Sequence, residues 1–301
     1  MTTVSRTRTD LEVRRADHTT IRYSASGPAG GPVLVLVHGW GCSRGDFDAV
    51  TDHLPGDYRV LAVDLAEHGD SRSTRDVFTM AEFARDVAAV LEAEAVGSAV
   101  VAGHSLGGAV AVEVGRLLPD TITHVVALDA LHYLSLFPAL SEEEAAALER
   151  LFRDDFAGAV RGLVEGGSPE GTDPALKDAY FEKMVAVRQP GGLRAIEGLV
   201  RWDMDAALEG TRQPITVFAI RDLVTREAID RYGDRLDIVL VELGSHHFPV
   251  ESPKETAKLL AGVRSRREGG GSGARVLVLG GAAEDEDAED EDAEDEDAAG
   301  R

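Results

Sequence analysis

Short apolar runs alternate with helical segments along most of the chain, and this alternation constrains the fold more than any other feature. The runs are four to six residues long, rich in β-branched side chains and apolar at successive positions: Val33–Val37, Val60–Val63, Ala99–Ala102, Val125–Leu128, Ile215–Ile220 and Ile238–Val241. Strands of a parallel sheet that is covered on both faces have this pattern. The sequence therefore predicts an α/β fold.

The segments between these runs carry apolar side chains at helical spacing. They are Met80–Ala95 (after a potential N-cap at Thr79), Gly107–Leu118, Arg226–Tyr232 and Pro253–Val263. Before the first run, looser alternation at Leu11–Arg15 and Thr20–Ser24 indicates a leading antiparallel hairpin. Strand–helix alternation after such a hairpin predicts a mostly parallel eight-stranded sheet flanked by helices.

One interval of about 80 residues, from Leu131 to Gln213, contains no strand-like run. Its pattern predicts four helices separated by glycine-rich breaks: Ser141–Phe152, Phe156–Glu165, Pro174–Arg188 and Gly192–Leu208. An insertion at the carboxyl end of a strand covers the crevice in which α/β folds bind ligands. We therefore predict that residues 132–213 form a helical cap, or lid.

The composition changes sharply after Val263. Gly269–Gly273 is typical of a flexible linker, Ala274–Leu279 is an isolated strand-like run, and Glu284–Asp297 has 12 acidic residues in 14 positions. Because like charges repel, that last segment is predicted to be disordered. The predicted organisation is an α/β core of residues 1–131 and 214–267, the cap, and a linker with an acidic tail over residues 268–301.

The net charge of −23 is concentrated in this tail, and without its 12 acidic residues the net charge is −11. No Lys/Arg-rich run remains to bind nucleic acid or anionic lipid. The one cysteine, Cys42, excludes a disulfide framework and a cysteine-based zinc site. We identify neither a secretory signal nor an apolar run of membrane-spanning length. We expect a cytoplasmic protein that acts on a small-molecule substrate with apolar surface, its oligomeric state being left open.

The strongest chemical signal is Gly103-His104-Ser105-Leu106-Gly107, between a predicted strand and a predicted helix. A sharp turn of this kind holds the serine in a strained conformation with its hydroxyl above the sheet, and its glycines allow neighbouring chains to pass close by. The N-terminus of the following helix favours negative charge there. The pattern predicts that Ser105 is a nucleophile.

A serine nucleophile needs a base that takes its proton. The segment Leu243–Pro253 (LGSHHFPVESP) follows the last predicted core strand and carries His246 and His247. We favour His247 as the base, because His-Phe-Pro-x-Glu-x-Pro leads into the final helix. His246 remains the alternative.

With two further motifs, these segments resemble the α/β-hydrolase fold superfamily over residues 10–265. His38–Gly41 (HGWG) resembles its HGW oxyanion loop, and Asp64–Ser71 resembles its D-L-x-G-H-G-x-S segment, with Glu67 in place of the usual glycine. The resemblance implies a serine hydrolase that needs no metal or organic cofactor. It also implies an oxyanion hole built from the backbone N–H groups of Trp40 and Leu106.

The resemblance leaves the acid of the triad open, because the family acid follows either the strand before the cap or the strand after it. Asp129 ends the run VVAL directly, and Asp222 lies just past Ile215–Ile220. Both remain candidates. The substrate pocket is predicted to be lined by Gly39, His104, His132 and Tyr133.

Three functions remain open. The leading hypothesis is a serine hydrolase that cleaves a carboxylic ester, lactone, thioester or related acyl bond through an acyl-enzyme. The second uses the same His–Asp pair as a base for lyase, cyclase, C–C bond or cofactor-free dioxygenase chemistry; the HGW segment and an acid at Asp129 resemble the dioxygenase branch. The third is a receptor-like ligand-binding protein. The motifs indicate the machinery and leave the substrate open.

Overall fold

The six apolar runs all form strands, which occupy adjacent positions in one sheet. The structure, a computed structural model, describes residues 6–132, 134, 140–268 and 276–279. Its strands are β1 (Arg8–Arg14), β2 (Thr20–Ser26), β3 (Val33–Val37), β4 (Arg59–Val63), β5 (Ala99–His104), β6 (Ile122–Leu128), β7 (Ile215–Ile220), β8 (Asp237–Val241) and β9 (Val276–Leu279). Their order in the sheet is β1-β2-β4-β3-β5-β6-β7-β8-β9, antiparallel at β1–β2 and β2–β4 and parallel elsewhere. The expected mostly parallel α/β sheet of eight strands is confirmed, with one strand added.

The helices follow the strands in the alternating order that the sequence predicts. They are α1 (Asp48–His53), α2 (Met80–Ala93), α3 (Leu106–Leu117), α4 (Glu142–Asp154), α5 (Phe156–Gly166), α6 (Pro174–Val185), α7 (Gly191–Val200), α8 (Met204–Glu209), α9 (Arg226–Tyr232), α10 (Phe248–Glu251) and α11 (Pro253–Glu268). We call α4–α8, which lie between β6 and β7, the insertion helices. Over the residues that the structure describes, none of the helices has both the length and the apolar character needed to cross a membrane.

Both faces of the parallel strands are buried, because successive side chains of a strand point to opposite faces. In β3, Val35 and Val37 belong to the apolar core on one face, to which α2 and α3 also contribute. Leu34 and Leu36 belong to the core on the other face, with side chains of α1 and α11. This packing fixes the carboxyl ends of the strands, and Ser105 and Asp129 directly follow two of them.

The insertion differs from its prediction at one place. Gly192–Leu208, predicted as one helix, is divided into α7 and α8. The carboxylate of Asp203 accepts a hydrogen bond of 3.0 Å from the Ala206 N–H and caps α8. A capping carboxylate favours a new helix start over continuation, which explains the break.

The carboxyl-terminal region differs as well. We expected the folded unit to end near residue 267, but Val276–Leu279 pairs in parallel with Ile238–Val241 of β8. Without this pairing β8 would be an edge strand whose backbone N–H and C=O groups on one side have no partner strand. The backbone of Val276–Leu279 provides that partner strand. The predicted linker residues 269–275 and the acidic segment Glu284–Asp297 lie outside the described residues.

Candidate active site

Ser105 lies in the sharp turn between β5 and α3, with backbone φ 53° and ψ −123°. Positive φ is rare and strained for a residue other than glycine. A Cβ atom on Gly103 would lie 1.9 Å from the Gly107 carbonyl oxygen, and one on Gly107 would lie 2.3 Å from the Val37 carbonyl oxygen. Glycine is therefore required on both sides of Ser105 for the turn to pack on the sheet.

Two backbone segments meet at Ser105. Leu106 is the first residue of α3, and N–H groups in the first turn of a helix have no acceptor within the helix. The loop after β3 packs against the serine turn: a Cβ on Gly39 would lie 3.1 Å from the Ser105 Cβ and 2.9 Å from the His104 Nδ1. Trp40 is the next residue after Gly39. The two N–H groups named as oxyanion donors thus belong to segments that meet beside the serine.

The side chain of Trp40 connects this loop to the insertion helices. Its Nε1–H donates a hydrogen bond of 2.7 Å to the Gly192 carbonyl, and its ring lies edge-on to Phe152 and Phe156 at centroid distances of 6.0 and 5.9 Å. Trp40 is buried. The indole therefore holds the loop after β3 against the insertion.

A buried carboxylate–imidazole pair joins the ends of β6 and β8. Asp129 Oδ2 lies 2.6 Å from His246 Nδ1, and Asp129 Oδ1 accepts a hydrogen bond of 2.9 Å from the Ile220 N–H. The Asp129 backbone N–H donates to the Phe218 carbonyl at 2.7 Å. The aspartate is 0% exposed, so its charge depends on these donors in place of water. Because a carboxylate accepts hydrogen bonds, the proton of this pair lies on His246 Nδ1, which leaves Nε2 free to accept another.

The structure pairs one of the two candidate aspartates with the histidine that was not favoured as the base. Asp129 pairs with His246, whereas Asp222 is exposed in a 3-10 turn at Arg221–Leu223. Asp222 does not reach the histidines because strand β7 continues through Ile220, and the turn that follows carries Asp222 to the surface.

His247 faces a different partner. Its ring stacks on Tyr180 of α6 with the centroids 3.9 Å apart and the planes 23° from parallel. Burial, with smaller contributions from His246, His104 and Lys183, holds the pKa of His247 well below its usual range. His247 occupies the position before the first residue of α10, and its ring is inclined at 76° to that of His246, so the two adjacent side chains meet different partners.

His104 supports the loop that carries His246. Its Nε2 lies 2.8 Å from the His246 carbonyl oxygen, an acceptor, so this nitrogen carries the proton. The two rings are 4.8 Å apart. Burial, and then the neighbouring His246, lower the pKa of His104 to about 3. His104 is thus a neutral donor that ties the serine turn to the histidine loop.

The segments that carry these residues match a known family. A family model described as the alpha/beta hydrolase family matches residues 34–259, which include Ser105, Asp129 and His246. The chain belongs to the alpha/beta hydrolase family. The superfamily resemblance inferred from the motifs is therefore confirmed.

Individual relatives agree with this assignment. A bifunctional esterase/perhydrolase from Acinetobacter calcoaceticus is 39% identical over 224 residues, which are 68% of this chain and 79% of that protein. A 2-(acetamidomethylene)succinate hydrolase from Mesorhizobium japonicum is 28% identical over 265 residues, 82% of this chain and 93% of that protein. A thermophilic esterase from Thermogutta terrifontis has the same fold, with a TM-score of 0.72 at 20% identity over 86% of this chain and 98% of that one. The chain spans only 37% of the length of one further curated relative and 64% of the length of another. The names of the first three of these relatives are those of esterases and hydrolases.

Of the two remaining predicted pocket residues of this alpha/beta hydrolase, the structure describes only one. His132 is buried edge-on against Trp202, at a centroid distance of 5.7 Å, and burial lowers its pKa to about 4. This contact is a packing contact within the insertion. Tyr133 lies outside the described residues. Over the described part of the chain, no group of three or more His, Cys, Asp or Glu side chains is arranged to hold a metal ion.

Sequence reasoning missed three residues of the insertion and the final loop. The Gly167 carbonyl accepts a hydrogen bond of 2.8 Å from the His246 N–H. Tyr180 stacks on His247 and donates its hydroxyl to Glu251 at 2.8 Å. Glu251 belongs to the His-Phe-Pro-x-Glu segment and was visible in principle. Gly167 and Tyr180 carry no motif, because their role arises only when the insertion folds over the sheet.

Proposed function

We propose that this alpha/beta hydrolase cleaves a carboxylic ester or a related acyl bond, with Ser105 as nucleophile, His246 as base and Asp129 as its acid partner. The single observation that carries the proposal is the buried Asp129–His246 hydrogen bond of 2.6 Å. It supplies the oriented base that a serine nucleophile needs, and it lies in the loop tied to the serine turn through His104.

The proposed reaction proceeds in two halves. His246 Nε2 takes the Ser105 hydroxyl proton as Oγ attacks the carbonyl carbon, and Asp129 stabilises the imidazolium. The N–H groups of Leu106 and Trp40 donate to the oxyanion. The C–O or C–S bond then breaks, and the leaving group departs with the proton from His246. In the second half His246 takes a proton from water as the water oxygen attacks the acyl carbon. The bond between that carbon and Ser105 Oγ then breaks, His246 returns the proton to Oγ, and the carboxylic acid product leaves.

The substrate class rests on the relatives and on the insertion. A relative from Acinetobacter calcoaceticus is an esterase/perhydrolase, and a protein of the same fold from Thermogutta terrifontis is an esterase. In the insertion, the apolar rings of Phe152 and Phe156 each contact the ring of Trp40, whose N–H is a proposed oxyanion donor. We therefore favour an acyl compound with substantial apolar surface over a highly charged one. We also propose, on the sequence grounds given above, a cytoplasmic location and no nucleic-acid or membrane partner.

The test compares three alanine variants on a panel of p-nitrophenyl esters, lactones and thioesters. Ser105→Ala and His246→Ala are expected to lose turnover by about 10⁴-fold or more, and Ser105→Ala to lose covalent labelling by a fluorophosphonate. His247→Ala is expected to retain far more activity than His246→Ala. Full turnover and labelling in Ser105→Ala would overturn the proposal, and loss of turnover in His247→Ala alone would reassign the base.

One observation favours a second candidate. The acid lies directly after β6 at Asp129, the position that resembles the cofactor-free dioxygenase branch. In such a reaction His246 would abstract a substrate proton, and Ser105 would only donate a hydrogen bond. Activity that survives in Ser105→Ala and disappears in His246→Ala would select this candidate.

A further inference from the structure

Helix α6 of the insertion contacts the loop that carries both histidines. Tyr180 of α6 stacks on His247 and donates its hydroxyl to Glu251 Oε1 at 2.8 Å. The same carboxylate accepts hydrogen bonds from the Ser245 N–H at 2.7 Å and the Ser245 hydroxyl at 2.5 Å. One carboxylate thus joins a side chain of the insertion to the residue that precedes His246.

The backbone of the histidine loop is fixed through this carboxylate. The Ser245 hydroxyl, which donates to Glu251, accepts the His247 N–H at 3.1 Å. Gly244 has φ +111°, and a Cβ there would lie 2.0 Å from Glu251 Oε2. The Gly167 carbonyl, in the turn after α5, accepts the His246 N–H. Ser245 and the two histidines are therefore held by Glu251 or by the insertion, and Gly244 leaves room for the Glu251 carboxylate.

The far end of α6 is fixed independently. Lys183 forms an ion pair with Asp46, and the backbone of Met184 packs against Gly41 of the loop after β3. Burial would raise the pKa of Asp46, but the charge of Lys183 and its hydrogen bond outweigh burial and lower it. This ion pair therefore persists at neutral pH. Helix α6 connects the proposed oxyanion loop to the proposed base loop.

We propose that Tyr180 is a positioning residue for the base: through Glu251, its hydroxyl sets the orientation of the loop that holds His246 against Asp129. The inference rests on the proposed role of His246. Tyr180 makes its contacts through Glu251 and His247, so its effect is on the geometry of the proton acceptor and not on substrate contact. Burial, followed by the hydrogen bond and charge of Glu251, raises the pKa of Tyr180, so the hydroxyl remains a donor over the whole working pH range.

The test is Tyr180→Phe, which keeps the stacked ring and removes the hydroxyl. The matched control is Tyr232→Phe, because Tyr232 is similarly buried and donates its hydroxyl to Asp205 at 2.8 Å away from the proposed site. A hydrogen bond to a charged group has the strength to change a rate roughly tenfold or more. We expect kcat to fall about tenfold in Tyr180→Phe with KM within about twofold, and kcat to stay unchanged in Tyr232→Phe.

A double-variant cycle and a spectrum separate positioning from general destabilisation. Glu251→Gln is expected to lower kcat, and the double variant with Tyr180→Phe to be no slower than the slower single variant, since both act through one connection. The low-field proton resonance of His246 Nδ1–H, assigned by its loss in His246→Ala, is expected to broaden in Tyr180→Phe and to stay sharp in Tyr232→Phe.

Three outcomes have distinct meanings. If His246→Ala abolishes turnover but Tyr180→Phe keeps the wild-type kcat and a sharp resonance, the positioning role is overturned and the proposed function stands. If His246→Ala keeps turnover, the proposed function itself fails. Equal losses of kcat in Tyr180→Phe and Tyr232→Phe would also overturn the positioning role.

Discussion

The substitution Asp129→Asn tests the carboxylate–imidazole pair with almost no change of shape. In the wild-type chain both carboxylate oxygens accept: Oδ1 from the Ile220 N–H at 2.9 Å and Oδ2 from His246 Nδ1 at 2.6 Å. An asparagine has one acceptor oxygen and one NH₂ donor. Because the Ile220 N–H can only donate, the amide oxygen must face Ile220. The NH₂ group then faces His246 Nδ1.

This arrangement forces His246 into the tautomer that cannot act as the base. With a donor opposite it, His246 Nδ1 must accept, so the ring proton moves to Nε2, and Nε2 no longer takes the proton of Ser105. If the amide were turned round, its NH₂ group would face the Ile220 N–H, and both groups are donors. The buried Ile220 N–H would then have no acceptor, at a cost of about 1–3 kcal/mol. The same change in a serine protease triad lowers kcat about 10⁴-fold. We expect a loss of about 10³–10⁴-fold for Asp129→Asn.

The assay is the kcat for a p-nitrophenyl ester, with circular dichroism to confirm folding. Asp222→Asn is the matched control, because Asp222 is an exposed aspartate at the alternative family position and is expected to stay within about twofold of the wild-type kcat. The reasoning is refuted if Asp222→Asn loses more than about 100-fold while Asp129→Asn stays within about tenfold.

Two further predictions concern stability and are checked by urea unfolding. Gly107→Ala is expected to lower the free energy of unfolding by several kcal/mol, because its Cβ would lie 2.3 Å from a carbonyl oxygen; Gly162→Ala, with open space around it in helix α5, is expected to raise it by up to about 1 kcal/mol. Equal stability of the two variants would contradict the steric argument. Burial lowers the pKa of His68 and of His104 to about 3, so below about pH 6.5 the unfolded chain binds protons that the folded chain does not. The free energy of unfolding should therefore fall as the pH falls from about 6.5 towards 3, by about 1.4 kcal/mol per pH unit for each histidine, and His68→Gln should show the shallower slope. An unchanged slope in His68→Gln would contradict this assignment.

The parts of the site that depend on local chain geometry were predictable from the sequence. The turn at Ser105 was predictable because a strand, two glycines and a helix leave that backbone little choice, and the strained φ of 53° agrees with it. The burial of both faces of the parallel strands was also predictable, since a strand that is apolar at successive positions must be covered on both faces.

Which aspartate pairs with which histidine was not predictable, because this proposed acid–base pair depends on single-residue differences in where elements end. Asp222 and Asp129 both follow a strand, and the choice depends on β7 continuing through Ile220 before the chain turns. His246 and His247 are neighbours, and the choice depends on the turn at Gly244 and on the Gly167 carbonyl. These are contacts between distant segments, which a motif within one segment does not record.

The insertion contacts His246 of the proposed acid–base pair directly. Asp129 has φ +40° and leads directly into the insertion, so the proposed acid lies at its base. His246 is bonded to Gly167 in the turn after α5, and Tyr180 of α6 holds the same loop through Glu251. Moving the turn after α5 and helix α6 away from the sheet would therefore break the hydrogen bonds that orient the base. Because these contacts reach the loop that holds His246, we propose that the position of the insertion influences the geometry of the proposed proton acceptor.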